Sequence, residues 1–456
     1  LYPHLMPTPA LSFAVLDRRC EGGVMVTASH NPARYNGYKA YAADGAQISG
    51  EVAAAVSAEI EKTDIFDDVK LVDFEEALAA GTIEYIDNAL IERYYAAVMA
   101  QALRPELGKT AGLRLVYTPL NGSGLVPVMT VLKRMGHTDI TVVPEQEKPD
   151  GDFPTCPYPN PEILEAMQLG LSLCEKLGAD LLLATDPDSD RVGTAVLQNG
   201  APRLISGNEM GVLLLDYICR TRLELCKMPE NPVAVRSIVS TTMSDAVAAH
   251  YGVEMRQVLT GFKYIGEQIA HLEAEGHPER FLFGFEESYG YLSGGYVRDK
   301  DAVVASMLIC EMAAWYKGLG KNLGEALDDL YAQYGYYFNK VDSYTFPGSD
   351  GMEKMAVLMQ KLRTELPFVI GSRAVTGHTD YETGLRYEDG EGKTPTGLPA
   401  ADVMEFRFGK EGSLVARPSG TEPKLKFYYS LRASDRAAAE AAYGEIKASV
   451  ERWLGL

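Results

Sequence analysis

Three aspartates stand at alternate positions in the segment DPDSD, directly after the apolar run LLLAT: Asp186, Asp188 and Asp190. Carboxylates this close repel one another unless a cation neutralises them, and hard oxygen donors select Mg²⁺ or Ca²⁺. The plain alternative is an acidic surface turn. A calcium-binding EF-hand loop does not fit, because its sixth position holds Arg191 and its twelfth Leu197, where glycine and glutamate belong. Magnesium fits better, since three carboxylates leave coordination positions for a phosphoryl oxygen.

Other loops carry weaker signals. Ser29, in TASHNP, follows the apolar run GGVMV and is surrounded by the turn formers Asn31-Pro32 and Asn36-Gly37. A hydrolase-type serine elbow needs glycine two residues either side, and Thr27 and Asn31 stand there. By itself Ser29 reads as a turn residue. RPSGTEPK puts Arg417, Ser419, Gly420 and Thr421 in one loop, where a guanidinium fork, two hydroxyls and open backbone can cradle a phosphate. An ordinary Pro-Ser-Gly turn is its alternative. GFEESYG offers Glu286, Glu287 and Ser288, acceptors suited to sugar hydroxyls, or else a solvated acidic turn. NGSG after LRLVYTPL is half a dinucleotide fingerprint, but Pro127 occupies the third glycine's place.

These loops need rigid elements behind them. Apolar strands alternate with amphipathic helices along most of the chain, the pattern of α/β architecture. LRLVYTP, ITVVP and GADLLLAT read as strands, as do VAVRSIVS, VEMRQVL and FLFGF; DNALIERYYAAVMAQAL, ILEAMQLGLSLCEKLG and AVVASMLICEMAAWYKG read as helices. From FNKVDSYTFPG onward, strands at ADVMEFRFG, GSLVARP and KLKFYYSLR accompany two helices, an α+β texture. Breaks at RPELGKTAG and CKMPENP separate the units. In VMVTASHNP, LLLATDPDSDR, FLFGFEESYG and LVARPSGTEPK a strand expected to be buried runs into a polar loop, as α/β folds build their sites.

The 456 residues carry a formal net charge of −20, which argues against a nucleic-acid partner. Any anionic substrate then needs basic groups gathered locally. The six cysteines show no CxxC pair and no zinc spacing, which points to a reducing cytoplasm. No apolar run reaches bilayer length and no signal peptide is recognisable.

A haloacid-dehalogenase-type enzyme also places Asp-x-Asp after a strand; that resemblance would make Asp186 a nucleophile and expects threonine where Asp190 stands. Five segments in order, TASHNP, DPDSDR, TGFKYI, GFEESYG and RPSGTEPK, resemble the α-D-phosphohexomutase superfamily instead, over nearly the whole chain. GFEESYG with TGFKYI is similar to its bacterial phosphoglucomutase branch, and the GEMSG-like loop of the mannose-accepting branch is missing.

The resemblance implies three similar α/β domains and a smaller α+β C-terminal domain around a central cleft. The boundaries expected are 1–105 (phosphoserine), 106–226 (metal), 227–337 (sugar) and 338–456 (phosphate). It implies a phosphorylated Ser29, Mg²⁺ held by Asp186, Asp188 and Asp190 with the Ser29 phosphoryl oxygen completing the site, and glucose 1,6-bisphosphate as intermediate and activator. Lys39 and Arg191 would stand at the reacting phosphate, with Lys39 also in the proton-transfer role. His30, Lys263, Glu286, Ser288 and Lys300 would contact the substrate. Arg417, Ser419, Gly420 and Thr421 would grip the phosphate that is not reacting. The partner implied is a small phosphosugar; mutases for mannose, pentose or glucosamine phosphates, and a non-catalytic phosphosugar-binding fragment, stand as alternatives. Family members have a further stretch, with a basic loop, before the segment matching LMPTPALSF. A chain that starts at Leu1 is therefore expected to be poorly active or unstable.

Overall fold

The apolar run that leads into the aspartate loop forms a strand buried along its whole length. In the computed structural model, which describes residues 1–348, 350–389, 392–419 and 423–456, strands Leu115–Thr118 and Leu181–Thr185 are buried at every position. They pair in parallel, with Ile140–Val142 beyond Leu115–Thr118. Parallel strands are covered on both faces, which is why they read as unbroken apolar runs. Helices Leu164–Leu177 and Ala302–Gly318 pack on Leu181–Thr185. Val116, Leu182, Ala184, Met167 and Leu171 make up much of this core. The antiparallel strands Val192–Gln198 and Ala201–Ile205, which the sequence reading did not assign, widen the sheet to five strands.

A second, four-stranded sheet runs in the order Gly290–Ser293, Phe281–Glu286, Val233–Ser237, Glu254–Val258. Phe281–Glu286 is buried throughout and delivers Glu286 at its end. Helix Ala302–Gly318 starts at Asp301, whose carboxylate caps the N–H groups of Val303 and Val304. The C-terminal region has a seven-stranded sheet ordered Tyr336–Thr345, Lys424–Ala433, Gly412–Pro418, Met404–Arg407, Gly377–Asp380, Leu385–Glu388, Gly392–Pro395. Its core of Phe406, Leu414, Phe427 and Leu431 is closed by Met359 and Leu362 from helix Gly351–Thr364 and by Ile446 and Val450 from helix Arg436–Leu454. This is the α+β arrangement expected from its strand-rich texture.

The first segment departs from expectation. VMVTASHNP was expected to carry a buried strand, yet strand Gly22–Val26 alternates between covered and exposed positions, with Val24 63% and Val26 74% exposed. It pairs only with Tyr38–Ala42 in a two-stranded sheet. One face lies on helix Thr8–Arg18, where Gly23 meets Leu11 and Val15; a sheet covered on one side alternates in burial. That helix begins in LMPTPALSF, with Pro9 in the first turn, a position that suits proline. The chain divides into two compact units. One comprises Leu1–Val235, Tyr251–Arg256 and Gly261–Ala326; the other comprises Arg236–His250, Gln257–Thr260 and Leu327–Leu456.

Candidate active site

Strand Leu181–Thr185 ends at the loop holding the three aspartates, and Asp186, Asp188 and Asp190 are all buried. Each carboxylate gives one oxygen to the protein. Asp186 Oδ1 accepts from the N–H groups of Asp190 (3.1 Å) and Arg191 (2.9 Å). Asp188 Oδ2 accepts from the Thr8 hydroxyl (2.9 Å) and the Lys39 ammonium (2.7 Å). Asp190 Oδ2 receives Lys39 at 2.5 Å and Lys300 at 2.9 Å. The other oxygens, Asp186 Oδ2, Asp188 Oδ1 and Asp190 Oδ1, are buried with no hydrogen-bond partner. One ligand oxygen from each aspartate lies within 4.8 Å of the others. Buried orphan carboxylate oxygens are costly unless something cationic meets them, and an all-oxygen set fits a hard divalent ion.

Charge in the cluster is shared unevenly. Burial, followed by repulsion from Asp190 and Asp188, pushes the Asp186 carboxyl well above the usual range. Burial acts on Asp190 in the same sense, but Lys300, Lys39 and Arg191 outweigh it and hold that carboxyl well below. Burial opposes the charge on Lys39, while Asp190, Asp188 and Asp299 keep it protonated and push its pKa up. Asp299 orders the surroundings: its Oδ2 accepts from the Tyr41 hydroxyl (2.6 Å) and the Gln47 amide (2.7 Å), and its Oδ1 from the Lys300 N–H (2.9 Å).

Ser29 sits in the turn between strands Gly22–Val26 and Tyr38–Ala42, the second of which carries Lys39 to the aspartates. Its φ of 54° is left-handed, a conformation held here by the 2.8 Å bond from its N–H to the Thr27 hydroxyl. Ser29 Oγ lies 3.3 Å from His30 Nδ1. Burial and then the Arg191 charge lower the His30 pKa to about 4, with Asp190, Asp188 and Lys300 also within electrostatic reach. His30 is therefore neutral near pH 7.

Arg191 points its guanidinium at Glu162 (2.8 Å) and the Ser288 carbonyl (3.2 Å), with Asp190 Oδ1 at 3.7 Å from Nε. Glu286 is buried, accepts the Gly261 N–H at 2.6 Å, and has its pKa raised by burial against the pull of Lys300 and Arg191. The structure thus gathers His30, Lys39, Asp186, Asp188, Asp190, Arg191, Glu286, Ser288 and Lys300 around one polar centre. Lys263, at the start of helix Phe262–Ala274, lies over the Tyr264 ring at 4.9 Å and reaches no member of that group. Arg417 belongs to strand Gly412–Pro418 of the second unit, and the Ser419 N–H bonds the Lys424 carbonyl at 2.8 Å. Gly420 and Thr421 lie outside the described residues.

Sequence reasoning missed the support. Thr8 bonds the aspartate loop twice, through its hydroxyl to Asp188 and through its N–H to the Asp188 carbonyl at 2.9 Å. NGSG, dismissed as a cofactor turn, braces the same loop: the Ser123 N–H and hydroxyl both bond the Pro187 carbonyl, at 2.7 and 2.9 Å. The tight glycine spacing was the available signal; nothing local marks Thr8, Tyr41, Gln47 or Asp299.

Comparison with known proteins agrees with this picture. Four models of phosphoglucomutase/phosphomannomutase domains match in order: alpha/beta/alpha domain I at 1–65, domain II at 92–199, domain III at 206–334 and the C-terminal domain at 386–446. Fold and matches together define an isomerase of the phosphohexomutase class. A phosphoglucomutase of Staphylococcus haemolyticus is 37% identical over 93% of this chain and 76% of its own length. The chain belongs to the phosphoglucomutase/phosphomannomutase family, within the α-D-phosphohexomutase superfamily. Two solved structures share the fold. Paramecium parafusin, a phosphoglucomutase in its open form, has TM-score 0.68 at 18% identity, over 99% of this chain and 83% of that one. Aspergillus fumigatus N-acetylphosphoglucosamine mutase, in complex with GlcNAc-6P and magnesium, has TM-score 0.57 at 16% identity, over 98% and 92%.

Proposed function

We propose that this protein interconverts glucose 1-phosphate and glucose 6-phosphate through a phosphoserine at Ser29 and a glucose 1,6-bisphosphate intermediate. The observation that carries this reading is the trio of buried aspartate oxygens without a hydrogen-bond partner, enclosed by Lys39, Lys300 and Arg191 beside the strained Ser29 turn. The glucose assignment rests on the phosphoglucomutase relatives. In this reading 1–105 presents Ser29, 106–226 holds the metal, 227–337 recognises the sugar and 338–456 grips the phosphate that is not reacting.

A sugar hydroxyl attacks phosphorus on the loaded Ser29, the P–Oγ bond breaks, and the proton lost by the sugar hydroxyl is balanced by the one gained at the freed Ser29 Oγ. The bisphosphate turns over, Ser29 Oγ attacks its other phosphoryl group, the P–O bond to the sugar breaks, and the proton returns to the sugar oxygen. Such transfers depend mainly on position and charge neutralisation. Asp186, Asp188 and Asp190 would hold Mg²⁺, which supplies neutralisation of charge on the leaving serine oxygen. Lys300 and Arg191 add fixed positive charge. The raised pKa of Lys39 suits it to the same role and weighs against the proton transfer that the resemblance assigns it. Glu286 and Ser288 select sugar hydroxyls, and His30 accepts or donates one bond as a neutral ring. Lys263, Arg417, Ser419, Gly420 and Thr421 are kept as substrate contacts on the resemblance alone. Free cysteines at all six positions fit work in the cytoplasm.

Intact-mass measurement before and after incubation with glucose 1,6-bisphosphate tests the scheme. One phosphoryl group is expected on the parent chain and none on S29A, together with loss of turnover. An unphosphorylated parent that still turns over glucose 1-phosphate removes Ser29 from the mechanism. Relative rates with glucose, mannose and ribose 1-phosphates decide the sugar.

A further inference from the structure

The second unit contains a cavity of about 510 Å³ bordered by five cationic side chains: Arg236, Arg386, Arg407, Lys410 and Arg432. Two carboxylates, Asp245 and Glu405, share the lining. None of these residues belongs to the RPSGTEPK loop. In a chain of net charge −20 such a concentration of positive charge is out of keeping with the whole.

Three of the cations are fixed by their own partners. Arg236 is buried and forks onto Asp245, with Nε and Nη2 both at 2.7 Å. Arg407 is tied to Glu388 (2.8 Å), Glu405 (3.2 Å) and the Tyr387 carbonyl (2.9 Å). Arg432 bonds the Tyr334 carbonyl (2.8 Å) and lies over the Tyr337 ring, 5.6 Å from its centre.

Arg386 and Lys410 differ in that, among the described residues, neither has an ion-pair or side-chain hydrogen-bond partner; Arg386 Nε, like Arg407 Nε, is buried with no hydrogen-bond acceptor. A buried donor of a charged group left unmade is costly. Arg386 and Lys410 both line the cavity, where an anion would neutralise their charge.

We propose that this cavity binds a small phosphorylated molecule at a site separate from the Ser29 centre. A guanidinium fork matches phosphate oxygens in pairs, and the ammonium of Lys410 adds a point charge. The Tyr337 ring at the lining offers an apolar face to the organic part of the ligand. An acidic macromolecule would be turned away by the exterior charge, so the occupant is small.

Calorimetric titration of the full chain with inorganic phosphate at low ionic strength is the test, with R386A, K410A and R386K beside the parent. One class of phosphate sites is expected to weaken at least tenfold in R386A and in K410A and by less in R386K, which keeps the charge but loses the fork, while turnover at saturating substrate stays within twofold. Lys410 is exposed, so its variant reports even where R386A fails to fold. Parent-like affinity and stoichiometry in K410A, with R386A either folded and unchanged or unfolded, overturn the site. Parallel titrations with glucose 1,6-bisphosphate and AMP identify the organic part by the tighter of the two.

Discussion

Each aspartate of the loop divides its oxygens between the protein and a common space, and this division decides what Lys39 contributes. Its ammonium holds Asp188 Oδ2 and Asp190 Oδ2, whereas the orphan oxygens are Oδ1 of the same two residues. Lys39 thus leaves one oxygen of each carboxylate for a divalent ion, and the two need not exclude each other. Removing one member of a buried ion pair leaves the other's charge uncompensated and costs about 3–5 kcal/mol. Lys39→Met is expected to lose stability of that order in the absence of metal. Magnesium should then recover part of the loss, because the carboxylates retain a second source of positive charge. Urea denaturation of parent and variant, with and without MgCl₂, measures both effects. Equal shifts by MgCl₂ in the two proteins would show that Lys39 and the metal do not share these carboxylates.

Among the elements, the glycine turn after strand Leu115–Thr118 does the positioning. A Cβ on Gly124 would fall 2.5 Å from Ser189 Oγ and Thr185 Oγ1 and 2.6 Å from the Tyr117 hydroxyl, and one on Gly122 would overlap the Pro187 backbone. Overpacking of a tight site costs about 1–3 kcal/mol. Gly124→Ala should destabilise by that amount and weaken divalent-ion binding, since the displaced groups carry the aspartate loop. Gly151→Ala, with open space around its Cβ and an ordinary φ, should do neither. Thermal melts with magnesium titrations compare them; equal metal affinity in G124A and G151A would sink the bracing role.

That turn also marks the limit of what the sequence discloses. The aspartate loop was legible because its chemistry is local: alternating carboxylates behind an apolar strand have few physical explanations. The loop's supports come from Thr8 and from Gly122 to Gly124, far away in the chain, and no local pattern encodes such meetings. The exposed face of strand Gly22–Val26 was misread for a related reason. Apolar valines specify a strand, but how many layers cover it depends on its partners.

At the scale of the whole molecule the charge of −20 opposes the phosphosugar that the centre attracts. The two effects act over different distances. Lys300 is buried and Lys39 and Arg191 are half-buried among carboxylates, so their contacts are short-ranged and little affected by salt. The exterior field reaches as far as the ionic strength allows, about 30 Å at 0.01 M and about 8 Å at 0.15 M. Added salt should therefore remove the repulsion and leave the capture. For glucose 1-phosphate at constant free Mg²⁺, kcat/KM is expected to rise about two- to threefold over that range of NaCl, while kcat changes little. Steady-state rates across the salt series measure both. A steady fall in kcat/KM would mean that the site's positive field extends beyond the negative exterior and steers the substrate in.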